Sequence, residues 1–169
     1  MLDIIYKRNN PKTPEKLTVE LFDKLAKSGD REIRSYIAGN PNIPLPTLEL
    51  LTKDKKDKVR CEVALNPKTP EKLTLKLLEK LVKDKGTDEH VLWDIARSSK
   101  TPEIFLELIS KKKDPKSTSI YLTGDKYTSA KEMVAQNKNT SATTLESLVK
   151  DAEPYNYIRL NAARNPNTP

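Results

Sequence analysis

The chain has 169 residues, of which 33% are charged, and 31 basic against 24 acidic residues give a formal net charge of +7. Its one cysteine, Cys61, excludes an internal disulfide and any cysteine-based metal site. No apolar run approaches a membrane span and the first residues lack a signal-peptide pattern, so we expect a cytoplasmic protein with no membrane partner.

A nine-residue sequence, Asn-Pro-Lys-Thr-Pro-Glu-Lys-Leu-Thr, occurs without change at residues 10–18 and 66–74. Related motifs begin at residues 40, 98, 137 and 165. Self-similarity at a spacing of about 20–50 residues is typical of repeat architectures. We therefore predict a single repeat domain over residues 1–169. The approximate repeats are 1–32, 33–58, 59–90, 91–129, 130–157 and an incomplete 158–169.

Each repeat is predicted to contain a short helix that precedes the motif. In Val59-Arg-Cys-Glu-Val-Ala64, two valines stand four residues apart and therefore share a helical face, and an alanine follows. The recurring alanine predicts a close contact between helices, with Ala64 and Ala96 buried. The corresponding segments are residues 33–38, 59–64, 91–96, 130–135 and 158–163.

A longer helix is predicted after each motif. The threonine of Thr-Pro is expected to cap free backbone N–H groups, and proline is favoured at the first helical position. Leu73, Leu77 and Leu81 then share one face. The Asn-Pro step separates the two helices, because proline disfavours helical backbone at the residue before it. Neither helix buries its apolar stripe alone, so the repeats are predicted to stack.

The pattern Val-Arg-x-x-Val-Ala-x-Asn-Pro-x-Thr-Pro, followed by Leu-x-x-Leu-x-x-Asp, resembles the leucine-rich repeat variant family. Residues 59–70 and 158–169 match it best. The resemblance implies an all-α fold, a right-handed superhelical solenoid of about five to six repeats, each with a short 3₁₀-like or α-helix and a longer α-helix. The repeats here are longer than the family's. The founding type has a cysteine cluster for iron–sulfur, but this chain has only Cys61, so we expect no cofactor.

Few residues are candidates for catalysis. His90 is the only histidine and lies between two repeats, where a solvated loop residue is expected. No glycine-rich phosphate loop, nucleophile elbow or zinc-binding helix motif is present. Cys61 has no histidine in its motif to activate it, which favours a small packed residue over a nucleophile. We therefore predict no catalytic residues and no metal site.

The second position of the short helices is basic in most repeats. Stacked repeats would align these residues, so they are candidate binding residues for phosphates or for an acidic protein. The alternative is that each cation hydrogen-bonds carbonyl groups or an acid of a neighbouring repeat. We call this set the basic row: Arg34, Arg60, Lys131 and Arg159.

Trp93 occupies a position that other repeats fill with serine or glutamate, which predicts partial exposure and a role as an interface anchor. The alternative is that the insertion at residues 114–129 folds over it. Insertions in repeat proteins gather on one face, so this insertion, with Tyr121 and Tyr127, is itself a candidate binding loop.

These features predict a non-enzymatic repeat scaffold that binds a macromolecule, with a protein as the first choice of partner. The alternative is a nucleic-acid-binding protein that uses the basic row. A third is an enzyme similar to the helical-repeat DNA-repair glycosylases, which would need a carboxylate near an aromatic residue, such as Asp94 beside Trp93. Thr168 and Pro169 form a helix start with nothing after it, so we also expect a fragment of a longer array, or a C-terminal edge covered by another molecule.

Overall fold

The computed structural model describes residues 15–113, 129–152 and 157–169. Within these ranges the chain is all-helical and has no strand, which confirms the predicted all-α class. The solenoid of stacked repeats and its right-handed superhelix stay predictions. The helices are α1 Glu15–Ala26, α2 Arg31–Ala38, α3 Leu45–Leu51, α4 Asp57–Leu65, α5 Glu71–Lys83, α6 Glu89–Arg97, α7 Glu103–Ser110, α8 Ala130–Gln136, α9 Ala142–Asp151 and α10 Tyr157–Ala163.

The predicted short helices are α2, α4, α6, α8 and α10, and all of them are α-helical. The first turns of α4 and α6 are tight: the Val91 N–H, for example, donates to the Asp88 carbonyl oxygen, three residues back, at 3.0 Å. Several begin at a polar cap. The Asp30 and Asp88 carboxylates accept from the backbone N–H two residues later, and the Ser129 hydroxyl accepts from the Glu132 N–H.

Thr101 and Thr140 do not cap the long helices that follow them, so that part of the sequence prediction is wrong. Pro44 and Pro102 occupy the N-cap position, so their helices begin one residue later than predicted, and neither proline provides a side-chain cap. The Thr101 hydroxyl donates instead to the Ile95 carbonyl oxygen, in the preceding short helix, at 2.6 Å. A buried hydroxyl needs a partner, and the last carbonyls of a helix have none within it. The same hydrogen bond, from a threonine hydroxyl to a carbonyl oxygen six residues earlier, joins Thr69 to Val63, Thr140 to Val134 and Thr168 to Ala162.

The chain forms two compact units, Met1–Leu78 and Glu79–Pro169. In the first unit, α1 packs against α2 and α3, and α4 packs against α2 and α3. In the second unit, α6 and α10 both pack against α8, and α7 and α9 complete the layer of longer helices. Each unit has its own set of large, fully buried side chains. In the first unit they are Ile43, Leu48, Leu51, Val59, Val63 and Leu78, and in the second they are Leu81, Ile95, Leu106, Ile109 and Leu145.

The alanine at the end of each short helix is buried in four repeats, and the predicted burial of Ala64 and Ala96 is confirmed. Ala38 and Ala135 are buried in the same way, whereas the equivalent Ala163 is exposed. In the second unit Ala135 belongs to α8, which lies between α6 and α10. A small side chain at this position allows the neighbouring backbone to approach closely.

Candidate functional site

In three of the motifs, the first asparagine connects one repeat to the repeat before it. The side-chain amide of Asn66 donates to the carbonyl oxygens of Ala38 (2.6 Å) and Asn40 (2.9 Å). Its side-chain oxygen accepts from the Lys68 N–H at 2.9 Å. Asn66 thus satisfies backbone groups of its own turn and also bonds to the end of the previous short helix.

The second unit repeats this arrangement. The Asn137 side-chain amide donates hydrogen bonds to the carbonyl oxygens of Ala96 and Ser98. The Asn165 side-chain amide donates in the same way to the carbonyl oxygens of Ala135 and Asn137. The residue two positions later adds to it, since the Asn139 amide donates to the Ser99 and Thr101 carbonyls. Asn66, Asn137 and Asn165 are all buried, so their polar groups serve the repeat contact.

Arg34 of the basic row is buried within the first unit. Its guanidinium Nε and Nη2 donate to the Asp54 carboxylate at 2.6 and 3.1 Å, and Nη1 donates to the carbonyl oxygens of Ser28 (2.8 Å) and Gly29 (3.1 Å). Burial alone would raise the pKa of Asp54, but hydrogen bonds from Arg34 and the Lys56 N–H hold that pKa below its ordinary value. The hydrogen bond to Asp54 raises the pKa of Arg34.

Arg60 and Arg159 contact the backbone in a related way. The Arg60 guanidinium donates to the Asp54 carbonyl oxygen at 2.6 Å and forms an ion pair with Asp57. Arg159 is exposed, and its guanidinium donates to the Ala152 carbonyl oxygen at 3.0 Å. The shared partner is the peptide carbonyl near the end of the preceding long helix. These contacts of Arg34, Arg60 and Arg159 match the alternative in which the basic row serves the repeats themselves. Lys131 lies half-buried on α8.

Trp93 lies half-buried on α6 beside Arg97, whose guanidinium carbon lies 4.7 Å from the centroid of the indole ring. This distance is typical of a cation–π contact. The indole N–H is buried and has no hydrogen-bond partner within the described ranges. Asp94 is also half-buried. Tyr121 and Tyr127 lie outside the described residues, so a cover over Trp93 from the insertion stays a prediction.

The outer face of the long helices has a regular pattern that the motif-based alignment did not detect. Phe22, Leu48 and Leu78 occupy the same core position in α1, α3 and α5, and all three are buried. Three residues before each stands an apolar side chain at the edge of the buried stripe. These are Val19, Leu45 and Leu75, which are 43%, 41% and 38% exposed. We call them the apolar row; all three belong to the first unit.

Aligning the repeats on the core position would have revealed the row. The sequence analysis aligned them on the Asn-Pro motif, and α1 and α5 are a turn longer than α3. The extra turn shifts the apparent equivalence by about four residues. In the second unit, the equivalent positions are Glu103 and Ala142, so the row does not continue there as an apolar surface.

Charged residues recur just after the core position on all the long helices. The next residue is acidic, and a lysine stands four residues after that acid. The acids are Asp23, Glu49, Glu79, Glu107 and Glu146, and the lysines are Lys27, Lys53, Lys83, Lys111 and Lys150. Glu79 with Lys83 and Glu107 with Lys111 form ion pairs. Exposed pairs of this kind contribute little to stability, so these residues chiefly keep the outer face solvated.

Neither a metal site nor a membrane span is found in the described part of the chain. No group of three or more histidine, cysteine, aspartate or glutamate residues there could hold a metal ion. Within the same ranges, every helix is too short or too polar to cross a bilayer. Cys61 is buried and forms no disulfide.

Comparisons with protein-family models, with curated proteins and with solved structures gave no match. The resemblance to the leucine-rich repeat variant family therefore stays a prediction that depends on the motifs at residues 59–70 and 158–169. The case for a function depends on the surfaces of the chain itself.

Proposed function

We propose that this chain is a non-enzymatic helical-repeat scaffold, a solenoid, whose first unit binds a protein partner through the apolar row. The observation that carries the proposal is the exposure of Val19, Leu45 and Leu75 at one equivalent position of three successive long helices. Single exposed apolar residues are normal on a protein surface. Recurrence at one position makes a continuous contact strip when repeats stack.

Packing within the first unit supports the strip. α1 contacts α3, so Val19 and Leu45 lie on neighbouring helices. Leu50, on the same helix as Leu45, is also exposed, as is Tyr36 on α2. Burial of apolar surface contributes about 25 cal/mol per Å², so a partner that covers several of these side chains gains a favourable term that solvent cannot supply.

The chemistry of the row favours a protein partner over the alternatives. Protein interfaces are enriched in aromatic side chains and depleted of charge at their centres. Phosphate backbones are bound by cations, and none of the three positions of the row has one. Two arginines of the basic row, Arg34 and Arg60, already bond within the first unit.

The test compares two double variants of the full chain. Leu45→Ser with Leu75→Ser removes two members of the apolar row. The control, Ile104→Ser with Leu160→Ser, removes two side chains of the second unit that are 52% and 43% exposed. Immobilised wild-type and variant chains are incubated with nuclease-treated cell extract, and retained proteins are identified by mass spectrometry. The partner is then purified and its Kd measured by calorimetry.

We expect a protein that the wild-type chain and the control retain, and whose Kd rises at least about tenfold for the row variant, which corresponds to about 1.4 kcal/mol. Equal binding by all three chains would contradict the proposal, as would retention of nucleic acid alone. Matching circular dichroism spectra and thermal midpoints for the variants exclude unfolding as the cause of a loss.

A further inference from the structure

One hydrogen bond in the second unit joins the segments that end two long helices, and these segments together contain six lysines. The Lys112 ammonium, just after α7, donates to the carbonyl oxygen of Asp84, just after α5, at 3.0 Å. This bond joins chain segments that are 28 residues apart. We call this set the lysine cluster: Lys80, Lys83, Lys85, Lys111, Lys112 and Lys113.

Half of the lysine cluster is already engaged. Lys83 and Lys111 form ion pairs with glutamates one turn earlier, and Lys112 bonds to the Asp84 carbonyl. The other three, Lys80, Lys85 and Lys113, are exposed and have no carboxylate partner among the described residues. Ammonium groups that are held near one another repel, and an approaching anion relieves that repulsion.

Complementing the helix ends does not account for so many cations. Lysines near a C-terminus interact favourably with the helix dipole, but the effect falls off within the last turn. Lys85 and Lys113 lie beyond the last residues of α5 and α7. Helices α8 and α10 have no basic residue in the last turn, so helices of this chain end without a cation to complement the helix dipole.

We propose that the lysine cluster binds the phosphate backbone of a double-stranded nucleic acid without reading its sequence. Lysine suits this role because it is a compact point charge, and it is depleted at the centres of protein interfaces. Residues 79–86 and 107–113 contain no aromatic side chain and no arginine. These two segments therefore lack the aromatic side chains on which single-stranded bases stack and the arginines that commonly read base edges.

The salt dependence follows from the number of unpaired lysines. Each phosphate neutralised on a duplex contributes about −0.9 to the slope of log K against log salt, so three predict a slope of about −2.7. Between about 50 and 200 mM salt, the affinity should then fall about 40-fold. The cluster belongs to the second unit, whereas the three residues of the apolar row belong to the first.

The test measures binding of a fluorescein-labelled 20-base-pair DNA duplex to the full chain by anisotropy at several salt concentrations, the probe length being about two helical turns. The cluster variant replaces Lys80, Lys85 and Lys113 with glutamine. The control variant replaces Lys100, Lys138 and Arg164 with glutamine, which removes the same charge from exposed residues of the same unit. Circular dichroism and the thermal midpoint verify that both variants are folded.

We expect the wild-type chain and the control to show a slope near −2.7 and the cluster variant to lose at least about tenfold in affinity at 50 mM salt, with a slope near zero. Absence of wild-type binding at that salt would overturn the proposal. Equal losses in the two variants would overturn it as well, because net charge rather than the cluster would then explain the binding. Displacement of the duplex by poly-glutamate at equal charge concentration would assign the cluster to acidic protein segments instead. Leu45→Ser with Leu75→Ser should leave duplex binding unchanged, which separates this proposal from the protein-binding one.

Discussion

Arg34 and Asp54 form an ion pair 20 residues apart in the chain, with a shortest N–O distance of 2.6 Å and each side chain only 7% exposed. The arginine belongs to the short helix α2, and the aspartate lies just after the longer helix α3. The pair therefore joins the beginning of a repeat to its end. Because the same guanidinium also donates to the carbonyls of Ser28 and Gly29, it connects this repeat to the end of α1.

Replacing Arg34 with alanine should destabilise the chain strongly. The change leaves the Asp54 carboxylate without its cation and leaves two carbonyl oxygens without a donor, and breaking a buried pair in this way typically costs about 3–5 kcal/mol. Urea unfolding followed by circular dichroism gives the free energy of unfolding. Arg31→Ala is the matched control, because Arg31 pairs with Glu32 at the surface, where such a pair contributes about 0–1 kcal/mol. Equal losses from the two variants would show that the Arg34 pair adds nothing beyond a surface contact.

The contribution of the pair should also depend on pH in a defined direction. The pKa of Asp54 is lower in the folded chain than its ordinary value of about 3.9. The stabilisation is therefore fully present above that ordinary value and is lost as the pH falls through the folded pKa. We expect Asp54→Asn to be less stable than wild type at about pH 6 and the difference to shrink toward pH 2, measured by urea unfolding. A difference that stays constant over this range would rule out titration of Asp54 as its source.

The all-helical class was accessible from the sequence, because identical segments at residues 10–18 and 66–74 and the recurring alanine reveal helix-forming units with a repeated pattern. The hydrogen-bond partners that individual side chains find in the folded chain were not accessible from the sequence. Local capping chemistry predicted that Thr101 would start a helix, but burial directed its hydroxyl to Ile95. Arg34 was expected either to face a ligand or to bond within the repeats, and only coordinates identify Asp54 as its partner. The apolar row escaped detection because helices of unequal length do not align on a motif that lies outside them.

Asn66→Asp should weaken the connection between the repeats of the first unit. The substitution is nearly isosteric, but a carboxylate cannot donate to the carbonyls of Ala38 and Asn40, and it places a negative charge against them. Leaving buried groups unsatisfied costs about 1–3 kcal/mol each, so we expect a loss of at least about 2 kcal/mol in urea unfolding. Asn42→Asp, at an exposed position of the preceding motif, makes the same chemical change and should shift stability by less than about 0.5 kcal/mol.

Ala64→Leu tests the close helix contact at the end of α4. Ala64 is buried, and a leucine there adds three carbon atoms to a position that admits only a methyl group. Overpacking of this kind typically costs about 1–3 kcal/mol, which lowers the thermal midpoint by several degrees. The control is Ala163→Leu, at the equivalent but exposed position of α10, where the added atoms meet solvent. We expect a lower midpoint for the first variant and an unchanged midpoint for the second, measured by circular dichroism. If Ala64→Leu were as stable as wild type, the recurrence of alanine at this position would need a cause other than packing.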